Sequence, residues 1–266
     1  MKIHPSAIVG PEAEISRNVE IGPYCVIGNN VKIGEGTKIA AHTLIEGNTR
    51  IGIKNDIFPF VTIGTPPQDT GYRGEDTGVV IGDGNIIREY TTIHRATTKQ
   101  DLVTVIGNNN FLMSYAHVAH DCVLGNNIIM ANAATLGGHT SVGDHAILSA
   151  FIASHQFVRI GSYVMISGVT GIPKDIPPFM MATGQRARLY GLNLVGLRRQ
   201  GFSREVITGL RKAYRIIWRE SSLISEGVKR VENEMEPFPE LKILLDFLKA
   251  ESVRGITRGA KSRSED

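Results

Sequence analysis

The stretch MKIHPSAIVGPEAEISRNVEIGPYCVIGNNVKIG (1–34) carries the pattern that decides the fold. Every sixth residue from Ile3 is isoleucine or valine, and this holds without a break as far as Ile63. After two interruptions, the second of which shifts the register by one residue, the series continues to Ile172. Within these three runs it fails only at Ser154. A period of six fits neither a helix nor a plain strand, whose side chains repeat every ~3.6 and ~2 residues.

A six-residue period predicts a short strand followed by a turn. Three such units close a triangular coil of about 18 residues, which is the pattern of a parallel β-helix. The composition agrees, because 29 glycines suit turns and only 6% aromatic residues suits a narrow interior of stacked aliphatic side chains. Crossovers between parallel strands are normally right-handed, so the pattern alone does not fix the hand of this solenoid.

The composition also limits the class of protein. Charged residues make up 21% and the net charge is +3, which fits a folded chain without a strong bias toward nucleic acid. No apolar run is long enough to span a membrane, and the N-terminus lacks the apolar core of a signal peptide. Cys25 and Cys122 are too few for a disulfide framework. We therefore expect a cytoplasmic protein without stable membrane insertion.

Two polar segments interrupt the six-residue series. They are TPPQDTGYRGEDTG (65–78) and ATTKQDLVT (96–104). Insertions in solenoids form loops that project from the coil and often carry binding faces. A tolerated surface insertion is the alternative for each of them.

The C-terminal part has a different period. We predict the solenoid over 1–178, ending in PKDIPP, and a small helical domain over 179–266. Ser203 is the expected N-cap of a helix, Pro237 ends a second one and Pro239 opens a third. The final GAKSRSED is predicted to be disordered. The helices are expected to cover the open end of the solenoid.

Polar residues are expected to stack at one edge of the prism. Residues 18 apart lie on adjacent coils, about 4.8 Å apart. His120, Gly138 and Gln156 therefore form one column, and Asp121 and His139 form the next. A histidine can act as a general base near neutral pH, and a glycine N–H can stabilise an oxyanion. This pairing predicts acyl transfer.

Several histidines cluster in the same part of the sequence. They are His117, His120, His139, His145 and His155. No serine or cysteine nucleophile is evident beside His120, because Cys122 lies two residues away from it. Direct attack by an activated substrate is therefore the simpler hypothesis. Two alternatives stay open. The histidines could merely hydrogen-bond along turns, or His117, His120 and a third histidine could bind zinc, as in hydratases similar to carbonic anhydrase.

Basic residues concentrate after the solenoid. Such a patch suits an acidic partner or a phosphorylated substrate, with a solvated helix face as the alternative. Nucleic acid is not expected, because no stacking aromatic residues are interleaved. The basic residues are Lys174, Arg186, Arg188, Arg198, Arg199, Arg204, Arg211, Lys212, Arg215 and Arg219.

Six segments together resemble the UDP-N-acetylglucosamine O-acyltransferases, and the resemblance spans nearly the whole chain. The segments are PPQDTGYRGEDT (66–77), IREYTTIHR (87–95), NNFLMSYAHVAHDCVLGNN (109–127), ATLGGHTSVGD (134–144), SHQFVRIG (154–161) and YGLNLVGLRRQGFSRE (190–205). The repeat alone would indicate only the wider superfamily of hexapeptide proteins.

This resemblance implies an all-β, left-handed parallel β-helix with a small helical domain, assembled as a homotrimer with sites between neighbouring prisms. It implies transfer of an (R)-3-hydroxyacyl group from acyl carrier protein to the glucosamine 3-hydroxyl of UDP-N-acetylglucosamine, the first step of lipid A biosynthesis. The acyl group arrives on the carrier's phosphopantetheine, and no other cofactor or metal is expected. The acidic carrier protein would favour the basic patch.

The resemblance also implies roles for individual residues. His120 corresponds to the general base, Asp121 to its helper and Gly138 to the oxyanion donor. Neighbours on a strand point to opposite sides, so contact between His120 and Asp121 requires a local turn. The substrate-side positions are Asp69, His117, His139, His155 and Gln156, and the nucleotide positions are Asn193 and Arg199.

Departures from the family pattern affect the substrate contacts. Gly71 stands where a lysine is frequent, and nearby Arg73 is the expected replacement for its charge. Gln200 replaces a frequent arginine. Arg186 stands where some members carry a histidine that ends the acyl channel, and Gly168 occupies a position where a bulky residue shortens the chain.

Other functions remain to be separated from this one. A sister hexapeptide acyltransferase would use acetyl-CoA or acylate a 3-amino group. A metal-dependent hydratase would need zinc. A ligand-binding solenoid without catalysis would show no turnover, although the polar column speaks against it.

Overall fold

The structure is a computed structural model that describes residues 1–260. The predicted disorder of GAKSRSED lies, from Lys261 onward, outside the described residues. The first two residues of this segment are ordered. Gly259 forms a parallel β-bridge with Leu189, and the Ala260 N–H donates to the Leu189 carbonyl at 2.8 Å. The disorder predicted for these two residues was therefore wrong.

The described chain winds into a left-handed parallel β-helix with three sheets as its faces. Each full coil contributes one strand to each sheet. Sheet 1 contains β1 (Lys2–Ile3), β4 (Glu20–Ile21), β7 (Lys38–Ile39), β10 (Asp56–Ile57), β13 (Ile86–Ile87), β16 (Phe111–Leu112), β19 (Ile129–Met130), β22 (Ile147–Leu148), β25 (Met165–Ile166), β27 (Met180–Thr183) and β28 (Arg188–Leu192).

The other two faces follow the same order along the axis. Sheet 2 contains β2 (Ile8–Val9), β5 (Val26–Ile27), β8 (Leu44–Ile45), β11 (Thr62–Thr65), β14 (Thr92–His94), β17 (His117–Val118), β20 (Thr135–Leu136), β23 (Ala153–Ser154) and β26 (Gly171–Ile172). Sheet 3 contains β3 (Glu14–Ile15), β6 (Lys32–Ile33), β9 (Asn48–Ile51), β12 (Gly78–Ile81), β15 (Val103–Ile106), β18 (Val123–Leu124), β21 (Ser141–Val142) and β24 (Arg159–Ile160).

The aliphatic residue of each hexad fills the interior, as the period predicts. Ile21, Ile39 and Ile57 pair in register on successive coils, and all three are buried. Burying one such side chain contributes about 1.5–3 kcal/mol. Ile3 is 37% exposed because β1 pairs with a strand on only one side within the described part of the chain.

Corners of the prism use the left-handed backbone conformation, even without glycine. Asp121 and His139 have φ of +59° and +61° at the corner between sheets 2 and 3. Asp and His tolerate this region better than most residues. Both polar interruptions leave the solenoid at this 2–3 corner, as loops over 66–77 and 95–102. Both loops are shorter than predicted, because strands β11, β12 and β15 extend into the predicted segments.

Most aromatic rings lie outside the prism. Five of them stack at the corner between sheets 1 and 2, with neighbouring centroids 5.0–5.1 Å apart. The stacked residues are Tyr24, His42, Phe60, Tyr90 and Tyr115. The interior is thus left to aliphatic side chains, as the low aromatic content suggests.

Sheet 1 continues beyond the predicted end of the solenoid at residue 178. Strand β27 pairs in parallel with β25 and then forms an antiparallel hairpin with β28. The three prolines before it do not stop the sheet, because β27 begins only after the last of them.

Helices follow the hairpin within the described chain. They are α1 (Leu194–Arg199), α2 (Arg204–Arg215), which runs into a π-helical turn (Ile216–Glu220), α3 (Ile224–Glu234) and α4 (Pro239–Lys249). Ser203 caps α2 by accepting from the Val206 N–H at 3.3 Å, and Pro239 opens α4, as predicted. Short α1 was not predicted. In the part of the chain that the structure describes, no helix has both the length and the apolar character needed to cross a bilayer.

Candidate active site

The centre of the site is a histidine–carboxylate pair at the 2–3 corner. The left-handed turn at Asp121 folds its side chain back, so that Oδ2 lies 2.8 Å from Nδ1 of His120. The two residues are only 5% and 2% exposed. With its Nδ1 proton donated to the carboxylate, His120 presents Nε2 as a proton acceptor. The local turn required for this contact is therefore present.

Gly138 lies against the free edge of this imidazole. A Cβ built on Gly138 would stand 2.5 Å from Cε1 and 2.7 Å from Nε2 of His120. The His139 N–H donates to the His120 carbonyl at 3.0 Å and fixes the stacking of the two coils. Gly138 is buried, and no group within residues 1–260 accepts its N–H. A buried donor without a partner is rare, so this N–H is available to a ligand oxygen.

Two threonines hold Asp121 in place, one through its carboxylate and the other through its backbone N–H. Thr97 donates to Asp121 through its hydroxyl at 2.7 Å and through its N–H at 3.1 and 3.2 Å. The Asp121 N–H in turn donates to Oγ1 of Thr104 at 2.9 Å. Burial alone would raise the pKa of Asp121, but the hydrogen bonds from His120 and Thr97 outweigh it and hold this pKa below its usual value. Sequence reasoning missed both threonines.

Replacing the Thr97 hydroxyl tests this support. In Thr97→Val the shape is kept but one donor to a buried carboxylate is lost, which costs about 1.5–3 kcal/mol and should lower kcat roughly tenfold or more. The pKa of Asp121 should rise, so the acidic limb of the kcat/KM profile should move to higher pH. Thr97→Ser, which keeps the hydroxyl, is the control. Unchanged kcat and an unchanged acidic limb in the valine variant would show that this bond has no role.

His139 packs across the pair from the next coil. Its ring lies edge-on to His120, Nε2 is 3.6 Å from Oδ2 of Asp121, and Nδ1 is 2.7 Å from Oε1 of Gln100. Burial lowers the pKa of His139. The loop 95–102 thus contacts two members of the predicted site, and Gln100 was another residue that sequence reasoning missed.

His117 reaches the same region from sheet 2. Its Nδ1 lies 2.7 Å from Oγ1 of Thr92, and the His94 ring meets its ring edge-on with centroids 4.9 Å apart. Burial lowers the pKa of His117 and takes the pKa of His94 to about 4. Nδ1 of His94 is buried and has no partner among the described residues. Both rings are therefore neutral near pH 7, which spares His120 from repulsion by neighbouring charges.

The predicted histidine group is only partly brought together. His155 and Gln156 occupy the 2–3 corner one coil beyond Gly138, where both are exposed. His145 is close to these residues in the sequence, but its side chain lies outside this group. It lies six residues after His139, which is one corner further around the coil, and stacks on Tyr163 at 4.8 Å.

The loop 66–77 brings Asp69 to the mouth of the site. Asp69 accepts from the Gly71 N–H at 2.7 Å and pairs with the ammonium of Lys99 from the other loop. The guanidinium of Arg73 instead turns back onto the carbonyls of Thr70 and Tyr72, at 2.8 and 3.0 Å. Lys99, rather than Arg73, thus lies beside Asp69.

The predicted nucleotide positions lie elsewhere on the prism. Asn193 caps α1 by accepting from the Gly196 N–H, and its amide donates to the Tyr163 carbonyl at 3.0 Å. Tyr163 belongs to the corner between sheets 3 and 1. Arg199 is exposed in the last turn of α1. Within one chain these residues and His120 are on different corners.

The positions predicted to affect acyl-chain length border sheet 2. Gly168 lies at the 1–2 corner, and Arg186 lies on the β27–β28 turn, which hydrogen-bonds to Gly171. Between them and the site, the outward residues of sheet 2 become smaller from coil to coil, in the register His117, Thr135, Ala153 and Gly171. The side chains on the outer face of this sheet therefore become shorter along the axis of the prism.

One group of side chains has the separation required for a metal. Ligand atoms of His120, Asp121 and His139 all lie within 4.8 Å of one another, and within residues 1–260 this group does not extend to His117, which the zinc alternative requires. The carboxylate is already bonded to Thr97 and His120, and His139 to Gln100. These hydrogen bonds orient the groups for proton transfer and compete with ligation.

Comparisons with known proteins agree with this geometry. A model of the bacterial transferase hexapeptide repeat matches residues 1–34, 12–47 and 104–138. A model described as the second domain of UDP-N-acetylglucosamine O-acyltransferase matches residues 175–257. Both parts of the chain, solenoid and helices, are thus covered.

Full-length relatives give the same result. The chain is 55% identical to the acyl-acyl-carrier-protein–UDP-N-acetylglucosamine O-acyltransferase of Thermodesulfovibrio yellowstonii, over 97% of this chain and 99% of the relative. It is 49% identical to the enzyme of that name from Thiobacillus denitrificans, over 96% and 99%. The crystal structure of a UDP-N-acetylglucosamine acyltransferase from Bacteroides fragilis superposes with a TM-score of 0.94 at 44% identity, covering 96% of this chain and all of that one.

Proposed function

Because this chain belongs to the family of UDP-N-acetylglucosamine O-acyltransferases that use acyl carrier protein, we propose that His120 is its general base and Gly138 its oxyanion donor. The enzyme moves an acyl group from acyl carrier protein to UDP-N-acetylglucosamine, a step of lipid A biosynthesis. One observation carries the mechanism. Gly138, whose N–H has no acceptor within residues 1–260, lies directly against the base edge of His120.

The proposed reaction needs no enzyme nucleophile. The glucosamine 3-hydroxyl attacks the thioester carbon while Nε2 of His120 removes its proton. Negative charge develops on the carbonyl oxygen, where the Gly138 N–H donates to it. The carbon–sulfur bond then breaks, and the phosphopantetheine thiolate leaves with the proton held by His120. Asp121 stabilises the imidazolium in between, because its carboxylate lies 2.8 Å from Nδ1.

We propose that an (R)-3-hydroxyacyl chain lies along the outer face of sheet 2. That face starts beside His117, and its outward side chains shrink through Ala153 to Gly171. Exposed Phe151 and Val169 at the 1–2 corner offer apolar contacts along it. Gly168 and Arg186 border the far end. The chain is delivered on phosphopantetheine, and no resident cofactor or metal takes part.

A homotrimer would complete the site. Asn193 and Arg199 lie on a different corner from His120, so a nucleotide-sugar that contacts all three must bridge two copies. Packing the 2–3 corner of one copy against the 3–1 corner of the next closes into a ring, which point-group symmetry favours. The basic surface of α2, with Arg211, would then receive the acidic carrier protein.

Mixing two inactive variants tests the shared site. His120→Ala and Arg199→Glu trimers, unfolded and refolded together, should regain activity, because some interfaces receive both intact residues. Each variant refolded alone is the control. Activity no higher than the sum of the two controls would show that His120 and Arg199 do not act across an interface.

Product analysis tests the reaction itself. The purified enzyme is incubated with a mixture of (R)-3-hydroxyacyl carrier proteins and UDP-N-acetylglucosamine, and the products are weighed by mass spectrometry. We expect one O-acylated product, unaffected by a chelator. Faster reaction with the 3-amino analogue or with acetyl-CoA would identify a sister enzyme, and chelator-sensitive hydration activity would identify the hydratase. Cell fractionation tests the proposed cytoplasmic location.

A further inference from the structure

The cations of the two loops at the 2–3 corner differ in what they contact. Arg73 donates to carbonyls of its own loop. Arg95 donates to the Tyr72 hydroxyl and the Gly64 carbonyl, at 2.9 and 3.1 Å, and its guanidinium lies over the Tyr72 ring. Both guanidinium groups are therefore occupied in holding the first loop.

Lys99 is placed differently. Its ammonium pairs with Asp69, whose carboxylate is 14% exposed, while the Lys99 side chain is 57% exposed. An ammonium has three donors, and among the described residues only the Asp69 carboxylate accepts from this one. The positive charge also acts on the ring of His139, whose pKa it helps to lower. Lys99 thus keeps donors that no other described residue accepts, and its charge is close enough to act on His139.

The position of the acceptor sugar locates the diphosphate. If the 3-hydroxyl is at His120, the carbon that carries the diphosphate is in the same sugar ring, and the two negative charges lie next to that ring. On the proposed function, we infer that Lys99 binds the diphosphate of UDP-N-acetylglucosamine and is a specificity-determining residue of this enzyme. The backbone supports the placement, since the Lys99 N–H donates to Oγ1 of Thr97, which itself holds Asp121.

Substrate affinity tests the role of Lys99. Losing one hydrogen bond to a charged group should weaken binding about tenfold or more. Lys99→Met should therefore raise the KM for UDP-N-acetylglucosamine and the Kd for UDP alone about tenfold, with a smaller effect on kcat. The Kd of the variant should also depend less on salt. Lys99→Arg should keep most of the affinity.

Lys32→Met is the matched control. Lys32 also forms an ion pair with an exposed carboxylate, Glu14 at 2.5 Å, but on sheet 3 near the N-terminal end. The Kd of Lys32→Met for UDP should stay at the wild-type value. A second variant relocates the charge. A Cβ on Gly71 would lie 3.8 Å from the Lys99 ammonium, so Gly71→Lys added to Lys99→Met should recover affinity.

The readouts separate diphosphate binding from a merely structural role. If Lys99 only orients Asp69, Lys99→Met should leave the Kd for UDP unchanged, and that result would overturn the inference. Calorimetry with UDP needs no acyl donor. Wild-type protein that binds UDP through Lys99 but transfers no acyl group would contradict the proposed reaction and leave the inference standing. If the wild-type protein transfers the acyl group but Lys99→Met binds UDP as tightly as wild type, the proposed reaction stands and the inference about Lys99 is overturned.

Discussion

His120→Ala is expected to lower kcat by a factor of about 10²–10⁴, the usual contribution of a positioned general base. The variant removes the group whose Nε2 faces Gly138 and whose Nδ1 bonds to Asp121. It also leaves the Asp121 carboxylate without one of its hydrogen-bond donors. Steady-state kinetics with acyl carrier protein thioesters measure the loss, and KM should change much less than kcat.

His145→Ala is the control for this experiment. His145 stacks on an aromatic ring at another corner, so its removal should leave kcat near the wild-type value. Circular dichroism and size-exclusion chromatography of both variants show whether fold and assembly persist. A folded His120→Ala enzyme with near-normal turnover would remove His120 as the base.

Gly138→Ala is expected to lower kcat about 100-fold, which is the scale of the penalty for displacing a catalytic group by ~1 Å. The alanine keeps its N–H, so the oxyanion donor remains. Its Cβ, however, would lie 2.5 Å from Cε1 of His120, and real Cβ atoms do not approach so closely. The imidazole must move away from the place where base and donor meet. The loss should appear in single-turnover rates, which report the chemical step.

Gly28→Ala provides the comparison on a distant coil. There the new Cβ would be 3.3 Å from Cα of Glu46, a tight contact that a small shift relieves. Its kcat should stay within about twofold of wild type, since substitutions away from such sites usually change free energies by less than ~0.5 kcal/mol. Wild-type single-turnover rates in Gly138→Ala would mean that His120 is not held against this glycine during catalysis.

The strictly repeating part of the molecule could be predicted from sequence. The six-residue period placed Ile39 and Ile57 inside and put Gly138 one coil beyond His120, because every coil there has the same length. A repeat converts sequence separation into distance, which an ordinary globular chain does not allow. The failure of the series at Ser154 also has a reason, since its hydroxyl accepts from the Gly137 N–H at 3.0 Å.

Loops and caps could not be predicted in this way. Thr97, Lys99 and Gln100 lie in a segment without a period, and their contacts depend on how the loop folds back over the corner. Strand β27 was missed because it joins sheet 1 after an irregular, proline-rich connection. His145 shows that closeness in the sequence is not enough, because its step along the coil puts it at another corner, against Tyr163.

The three sheets end in open strands at the first coil, and this has a consequence for solubility. Among residues 1–260, strands β1, β2 and β3 each have a neighbour on one side only, so another chain could add to them and begin a fibre. Three features discourage such growth. The strands are two residues long, Lys2 and Glu14 would lose their hydration in a stacked dimer, and Pro5 and Pro11 offer no N–H for a ladder. These features discourage a second molecule from stacking on the first coil.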